Sequence, residues 1–402
     1  MASSFPDGRR PKTHIAVLVT LGLTHLLNDL MQSLIPATYP ILKQSYMLDF
    51  ARIGLITMTF QIAGSLLQPV VGAITDKYPA PYSPVAGMAF TLSGLICLGF
   101  AQSYTAILAA VALIGIGSSI FHPEATRMAR YAAGGRQGFA QGLFQVGGQA
   151  GGALGPVLAA LVILPLGQMS LSAFAILALV AMSLLIWIGK KQKQISADFF
   201  AGRSSSATTH GTSAYAPTTI VVGLIVLTAL MFTKNAYGES FRSFYTFYLI
   251  SKFKLSIFSA QMMLFIFLLA SAAGALLGGI LGDRIGRQRI IWISVLGPLP
   301  LTLALPYADL MWTGILTVLI NLIMASAFAS ILIYAMELLP NRIGLIGGVF
   351  YGLNFGLGGI AAALLGNLAD SYGVETVYFL CSFLPLAGLL AWFLPRLNPH
   401  PH

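Results

Sequence analysis

The sequence predicts an all-α integral membrane protein of twelve transmembrane helices, arranged as two pseudo-symmetric six-helix halves. Three observations carry that prediction. The first is composition: 57% of residues are hydrophobic and only 8% are charged, against roughly 25% charged in a typical soluble domain. The second is the row of apolar stretches, each long enough to cross a bilayer at about 20 residues. The third is an internal repeat. Phe60, Ala63, Gly72, Asp76 and Lys77 recur in register as Phe267, Ala270, Gly279, Asp283 and Arg284, an offset of 207 residues. Arg136, Gly138, Gly142 and Phe144 recur as Arg342, Gly344, Gly348 and Phe350, an offset of 206. Two parallel halves in one membrane chain imply a substrate path between them and alternating access to its two sides.

In chain order the expected spans are 14–40, 52–74, 84–101, 105–130, 138–163, 170–189, 218–250, 258–282, 289–308, 311–337, 343–368 and 374–394. The first half is then 1–189, the second 218–402, and 190–217 is a linker, Lys-rich and then Ser/Thr/Gly-rich. The thinnest boundary is Ala308-Asp309-Leu310 between spans nine and ten. Span one is too long and too polar, with His25, Asn28, Asp29 and Gln32, to read as a signal peptide. Cys97 and Cys381 both fall in apolar spans and offer no disulfide framework.

The net charge of +10 orients the chain rather than recruiting nucleic acid. With the N-terminus in the cytoplasm, sixteen Lys and Arg fall on the cytoplasmic side and four outside: Lys43, Arg52, Lys252 and Lys254. That is the positive-inside pattern, and it puts both termini and the linker in the cytoplasm. The remaining two, Lys234 and Arg242, lie within span seven.

Span one carries His25, Asp29, Gln32 and Ser33 at i, i+4, i+7 and i+8, one polar stripe on an apolar helix. Asp29 stands roughly 22 Å along the helix axis, well inside the hydrocarbon. An acid there with a histidine neighbour suits a proton carrier, and a hydrogen-bonded structural acid is the alternative. Between spans two and three lie Gly72, Asp76 and Lys77. Their repeat, Gly279-Ile-Leu-Gly-Asp283-Arg284-Ile-Gly286-Arg287, lies between spans eight and nine. Asp and Arg in such loops can latch onto charges at neighbouring helix ends and hold one conformation. The first copy departs from the second after Lys77, where Tyr-Pro-Ala-Pro follows. Glu124 and Arg127, near the end of span four, are candidate latches for Asp76, and Glu337 and Arg342 for Asp283. His122 and Glu124 are equally open to substrate or proton chemistry.

In span five, Gly151-Gly-Ala-Leu-Gly155-Pro156 forms, with Gly147, a small-residue stripe suited to close helix packing. Span seven is the repeat partner of span one, and Asn235 stands where Asp29 does. Its neighbour Lys234 is expected at the same depth as Asp29, across the pseudo-two-fold axis, as a charged partner of it. Glu239 and Arg242 follow at i, i+3, a spacing that allows a self-satisfied pair, and then Tyr245.

These stretches resemble the major facilitator superfamily. The loop Gly279 to Arg287 is similar to its signature loop, and Gly151 to Ala160 to an element of its proton-coupled drug antiporters, with Ala159 and Ala160 in place of the final glycines. Within it the chain resembles the fosmidomycin resistance branch through His25-Leu-Leu-Asn-Asp-Leu-Met-Gln-Ser-Leu, Leu66-Leu-Gln-Pro-Val-Val-Gly, Thr75-Asp-Lys-Tyr-Pro, Gly117-Ser-Ser-Ile-Phe-His-Pro-Glu, Tyr245-Thr-Phe-Tyr-Leu and Glu337-Leu-Leu-Pro-Asn-Arg-Ile-Gly. The resemblance implies a monomeric bacterial inner-membrane exporter driven by proton influx, with no cofactor, that confers resistance to the phosphonate drug fosmidomycin. An anion in low dielectric needs a cation, which makes Lys234 the first substrate-binding candidate. His25, Asn28, Gln32, His122, Arg242 and Tyr245 join it. Asp29, His25, Glu124 and Glu239 are the proton-coupling candidates. A metabolite importer of the same fold is the main rival. An intramembrane enzyme using His25, His122, Asp29 and Glu124 finds no His-Glu-x-x-His or other metal-binding spacing.

Overall fold

In a bilayer every backbone N–H and C=O must bond within its own segment, so long apolar stretches fold as helices. The computed structural model describes residues 13–78, 80–134, 137–201, 216–339 and 343–395. Its helices fall into twelve successive stretches, one for each expected span. We call them α1 (Ile15–Ala37, carried on by Tyr39–Ser45), α2 (Phe50–Lys77), α3 (Ser83–Gly99), α4 (Tyr104–Ala132), α5 (Gln137–Leu158, then Ala159–Ile163 and Leu164–Leu166) and α6 (Gln168–Phe174 and Ala175–Ala201). The second half supplies α7 (Pro217–Phe253), α8 (Ile257–Ile285), α9 (Arg287–Leu296, Leu299–Ala304 and Leu305–Tyr307), α10 (Leu310–Ala325 and Ala327–Leu338), α11 (Ile343–Tyr372) and α12 (Val374–Cys381 and Leu384–Phe393). Ten of the twelve are long and apolar enough to cross a membrane, α3 is a shorter apolar helix, and α11 runs 30 residues. This is consistent with twelve spans.

Local chemistry sets the breaks. At the thin boundary between α9 and α10, Asp309 Oδ1 accepts from Trp312 N at 2.8 Å, a side-chain cap that starts the new helix. Gly286 begins α9 with φ of +95°. The loop motif therefore needs glycine there, since a side chain strains that conformation. Pro156 lacks the N–H its turn requires, and α5 widens into a π-turn from Ala159. One boundary differs from expectation. α6 does not stop at residue 189 but runs to Ala201, so Lys190, Lys191 and Lys193 sit on its last turns. The linker residues 202–215 lie outside the described residues.

The halves meet mainly along α2 against α11 and α5 against α8. Around Gly54 and Gly366 the α2–α11 seam is backbone on backbone, while farther along it the Gln61 and Ser65 side chains of α2 meet Gly358 and Gly356 of α11. A Cβ on Gly54 would stand 2.3 Å from the Ala362 carbonyl oxygen, and one on Gly366 2.3 Å from that of Phe50. At one end of this seam Asp370 of α11 accepts from Phe50 N at 2.8 Å and Ala51 N at 2.6 Å. A carboxylate of one half thus caps the first turn of a helix in the other. Close by, Gln261 of α8 donates to the Ala37 carbonyl of α1 at 2.7 Å.

Candidate functional site

In the polar stripe of α1, His25 and Gln32 are buried and Asp29 and Ser33 half-buried, and the fold completes it with a residue from α4. His25 Nε2 lies 3.2 Å from Asp29 Oδ2, and His122 Nε2 lies 3.5 Å from Asp29 Oδ1. Asn28 Nδ2 adds a third contact, donating to Oδ1 at 2.9 Å. The outer nitrogens of both rings are anchored on backbone. His25 Nδ1 meets the Phe144 carbonyl at 2.7 Å, and His122 Nδ1 meets that of Ser118 at 3.0 Å. A carbonyl can only accept, so both Nδ1 atoms carry the hydrogen and both Nε2 atoms face the carboxylate. The arrangement brings two imidazole nitrogens onto one carboxylate.

Packing fixes the rings. The Phe144 ring of α5 stacks on His25 with centroids 4.0 Å apart, and Phe355 of α11 stands 5.8 Å from His122. Gln32 Oε1 accepts from Ser118 Oγ at 3.2 Å, and that hydroxyl also lies 3.2 Å from His122 Nδ1. Gln32 Nε2 and Asn28 Oδ1 are buried beside the cluster without a hydrogen-bond partner among the described residues. Room for it comes from Gly148, where a Cβ would stand 2.4 Å from the His25 ring and 2.8 Å from Asp29. The glycine stripe presses α5 onto α1 at this level. A Cβ on Gly147 would meet the Gly22 carbonyl at 2.1 Å, on Gly151 that of Leu26 at 2.1 Å, and on Gly155 the Ser33 hydroxyl at 2.2 Å.

The second half presents cations. Lys234, half-buried on α7, makes no hydrogen bond or ion pair with any described residue. The expected pairing of Asp29 with Lys234 is therefore corrected: Asp29 is satisfied within its own half by two histidines and an asparagine. Arg242 lies eight residues on, and its guanidinium folds back to within 3.2 Å of where a Cβ on Gly238 would stand, toward Lys234. Glu239 is 1% exposed and joins the halves. It accepts from Gln61 of α2 at 3.0 Å, from Ser243 at 2.6 Å and from Arg242 at 3.3 Å. Ser243 continues to Thr57 at 3.1 Å and Thr57 to Tyr39 at 2.6 Å. The expected Glu239–Arg242 pair thus exists, but as part of a buried network across the interface.

Tyr245 is 0% exposed, with its hydroxyl 3.3 Å from Thr317, and in this state it does not share a surface with Lys234. Glu124 is held by Arg127, whose Nη2 lies 2.6 Å from both carboxylate oxygens. Gly72 sits within α2, and Arg287 opens α9. Of the other latch candidates, the side chains of Asp76, Lys77, Asp283, Arg284 and Glu337, the surroundings of Gly279 and the whole of Arg342 lie outside the described residues. An apolar groove of about 530 Å³ between α8 and α10, lined by Met263, Ile266, Leu310 and Met311 among others, holds no charged side chain.

The fold and the buried charge between two helical halves define a membrane transporter. Residues 21–363 match the family model of the Major Facilitator Superfamily, and the chain belongs to that superfamily. It is 51% identical over 395 residues to the fosmidomycin resistance protein of Escherichia coli (strain K12), covering 98% of this chain and 96% of that one. It is 38% identical over 388 residues to an uncharacterized MFS-type transporter, YfnC, of Bacillus subtilis (strain 168), covering 96% and 95%. The resemblance to the fosmidomycin resistance branch therefore holds. Among solved structures, the nucleoside transporter NupG superposes with a TM-score of 0.70 at 15% identity, over 94% of this chain and 97% of that one. That likeness establishes the shared fold.

Proposed function

We propose that this transporter exports small anionic compounds such as fosmidomycin by proton-coupled antiport, from a bacterial inner membrane with both termini in the cytoplasm. The observation that carries the reading is the His25–Asp29–His122 cluster in one half, facing a half that bears Lys234, a cation with no hydrogen bond or ion pair to any described residue. The cluster is the proton carrier, and Asp29 is the group common to both of its contacts. Lys234, with Arg242 beside it, is the anion receptor, since a phosphonate gains charge-assisted hydrogen bonds from both. In the expected orientation Asp370 and the seam hold the outer end closed. The 51% identity to a protein named for fosmidomycin resistance supports the drug assignment.

Electrostatics sets a condition on direction. Protons on the cluster and an anion at Lys234 attract, which by itself favours loading both together. Antiport then requires that the doubly loaded carrier not change conformation, so that proton and drug cross in opposite strokes. The same attraction favours the rival reading, proton-linked import of a small anionic metabolite. Everted vesicles with labelled fosmidomycin separate the two. An exporter accumulates drug when the vesicle interior is acidified and stops when the gradient is collapsed. An importer loses drug from preloaded vesicles under the same gradient.

A further inference from the structure

Between them, Asp29, His25 and His122 have a second chemistry. Taking one donor atom from each residue, the three lie within 4.8 Å of one another, and each histidine nitrogen stands 3.2 or 3.5 Å from its nearer carboxylate oxygen, Oδ2 for His25 and Oδ1 for His122. Ligand atoms on a tetrahedron around zinc at about 2.0–2.1 Å lie about 3.3–3.4 Å apart. The outer shell is also that of a metal site, because metal-bound histidines usually donate their other N–H to a carbonyl or carboxylate. Here His25 does so to Phe144 and His122 to Ser118. Two neutral imidazoles and one carboxylate suit a borderline divalent cation of the zinc class and not magnesium or calcium, which prefer oxygen. Asn28 donates through Nδ2 to the same carboxylate, and its Oδ1 is a buried oxygen without a donor among the described residues.

We propose that His25, Asp29 and His122 form a binding site for one divalent transition-metal cation of the zinc class, and that the cation displaces the transported protons and arrests the proton-driven cycle. The site stands on geometry alone; the arrest rests on the proton-coupling reading above. Metal ligands must be deprotonated, so affinity falls as pH falls. The groups packed on the cluster from α4, α5 and α11, namely Ser118, Phe121, Phe144 and Phe355, carry no charge. On α1 only Asn28 and Gln32 adjoin it, and the acid next along α4, Glu124, is neutralised by Arg127.

The test uses the purified full chain, carrying a tag without histidine, titrated with Co²⁺ and read by its visible absorption. One equivalent of tetrahedral cobalt is expected, displaced by Zn²⁺, at least tenfold weaker at mildly acidic than at alkaline pH and lost in His25→Gln and His122→Gln. Zn²⁺ should also raise the thermal midpoint of the wild-type chain. X-ray absorption at the zinc edge of wild-type protein does not depend on any variant folding. It should show two imidazole nitrogens. Absence of Co²⁺ uptake, uptake unchanged in the two variants, or a zinc shell without imidazole overturns the site. Transport in Asp29→Asn is assayed separately, in vesicles with a chelator, so the proton reading and the metal site fail or stand independently. If wild-type protein binds zinc but its gradient-driven transport is insensitive to it, the arrest is refuted and the site remains.

Discussion

The two halves share a backbone plan and differ in their buried chemistry. At the repeat offset of 206, His25, Asp29 and His122 of the first half correspond to Met231, Asn235 and Phe328 of the second. Lys234, Glu239 and Arg242 of the second correspond to Asn28, Ser33 and Pro36 of the first. Each half therefore holds ionisable groups where the other is neutral or apolar. What both halves keep builds the helices and loops, and what each holds alone identifies its task. On the proposed reading, protons belong to the first half and anions to the second.

The largest expected effect is at Asp29. Asp29→Asn should reduce gradient-driven accumulation in everted vesicles to that of vesicles without the carrier, while drug–drug exchange persists. Accumulation against a gradient in that variant would move proton coupling out of the first half. Next is Lys234→Met, which should weaken drug binding by about tenfold or more, equivalent to about 1.4 kcal/mol, with insertion and expression unchanged. Isothermal titration reads this directly, and unaltered affinity would transfer anion recognition to Arg242 or His122.

A sharper test asks whether geometry around the cluster matters beyond its ligands. Gly148→Ala places a methyl against His25 and Asp29, whereas a Cβ on Gly152, one turn on, meets nothing within 4 Å. The first should slow proton-linked transport several-fold and the second should leave it unchanged. Equal rates would show that the cluster tolerates displacement. Asp370→Ala removes a cap that spans the halves, worth about 1 kcal/mol, and should shift the resting state roughly fivefold toward opening at that end. Spin labels at the exposed Gln44 and Lys254, one per half, would report a larger population of long distances. The smallest effect on binding is expected at Asp283. As a loop latch its change to Asn should slow turnover and leave drug affinity within a few-fold.

The fold is legible in the sequence because it rests on span length and repetition, and both are written linearly. α6 runs past its expected end because a helix leaving the membrane continues while its next residues are polar helix formers, and hydropathy marks only the membrane edge. Two of the cluster's three residues are legible too. His25 and Asp29 are one helical turn apart, so spacing joins them. His122 is 93 residues beyond Asp29, and spacing groups it instead with Glu124 and Arg127 on its own helix. Only the packing of α4 on α1 shows its partner. The same reason explains why no metal-binding spacing is present in the sequence although three suitable ligands converge. Gln61 offers a signal that the expected site lacks, an amide inside an apolar span, and its partner Glu239 lies on another helix. Asp370 stands at the end of an expected span as an ordinary surface acid, and its role depends on the first turn of α2 in the opposite half. The expected Asp29–Lys234 pairing fails because equal depth in a repeat does not bring side chains together when nearer partners exist.

The bare seam between α2 and α11 bears on how strongly drug is held at a distance. A carrier that alternates between two shapes binds with its intrinsic affinity divided by the share of molecules in the receptive shape. Where Gly54 meets Ala362 and Gly366 meets Phe50, no side chain has to be repacked for the surfaces to part. The depth of that backbone contact then acts as a dial on the resting population. One added methyl at either glycine works as a wedge, favouring the parted shape and changing the drug concentration needed for half-maximal export without touching Lys234. Variation in tolerance among related carriers can thus arise at positions that no ligand reaches.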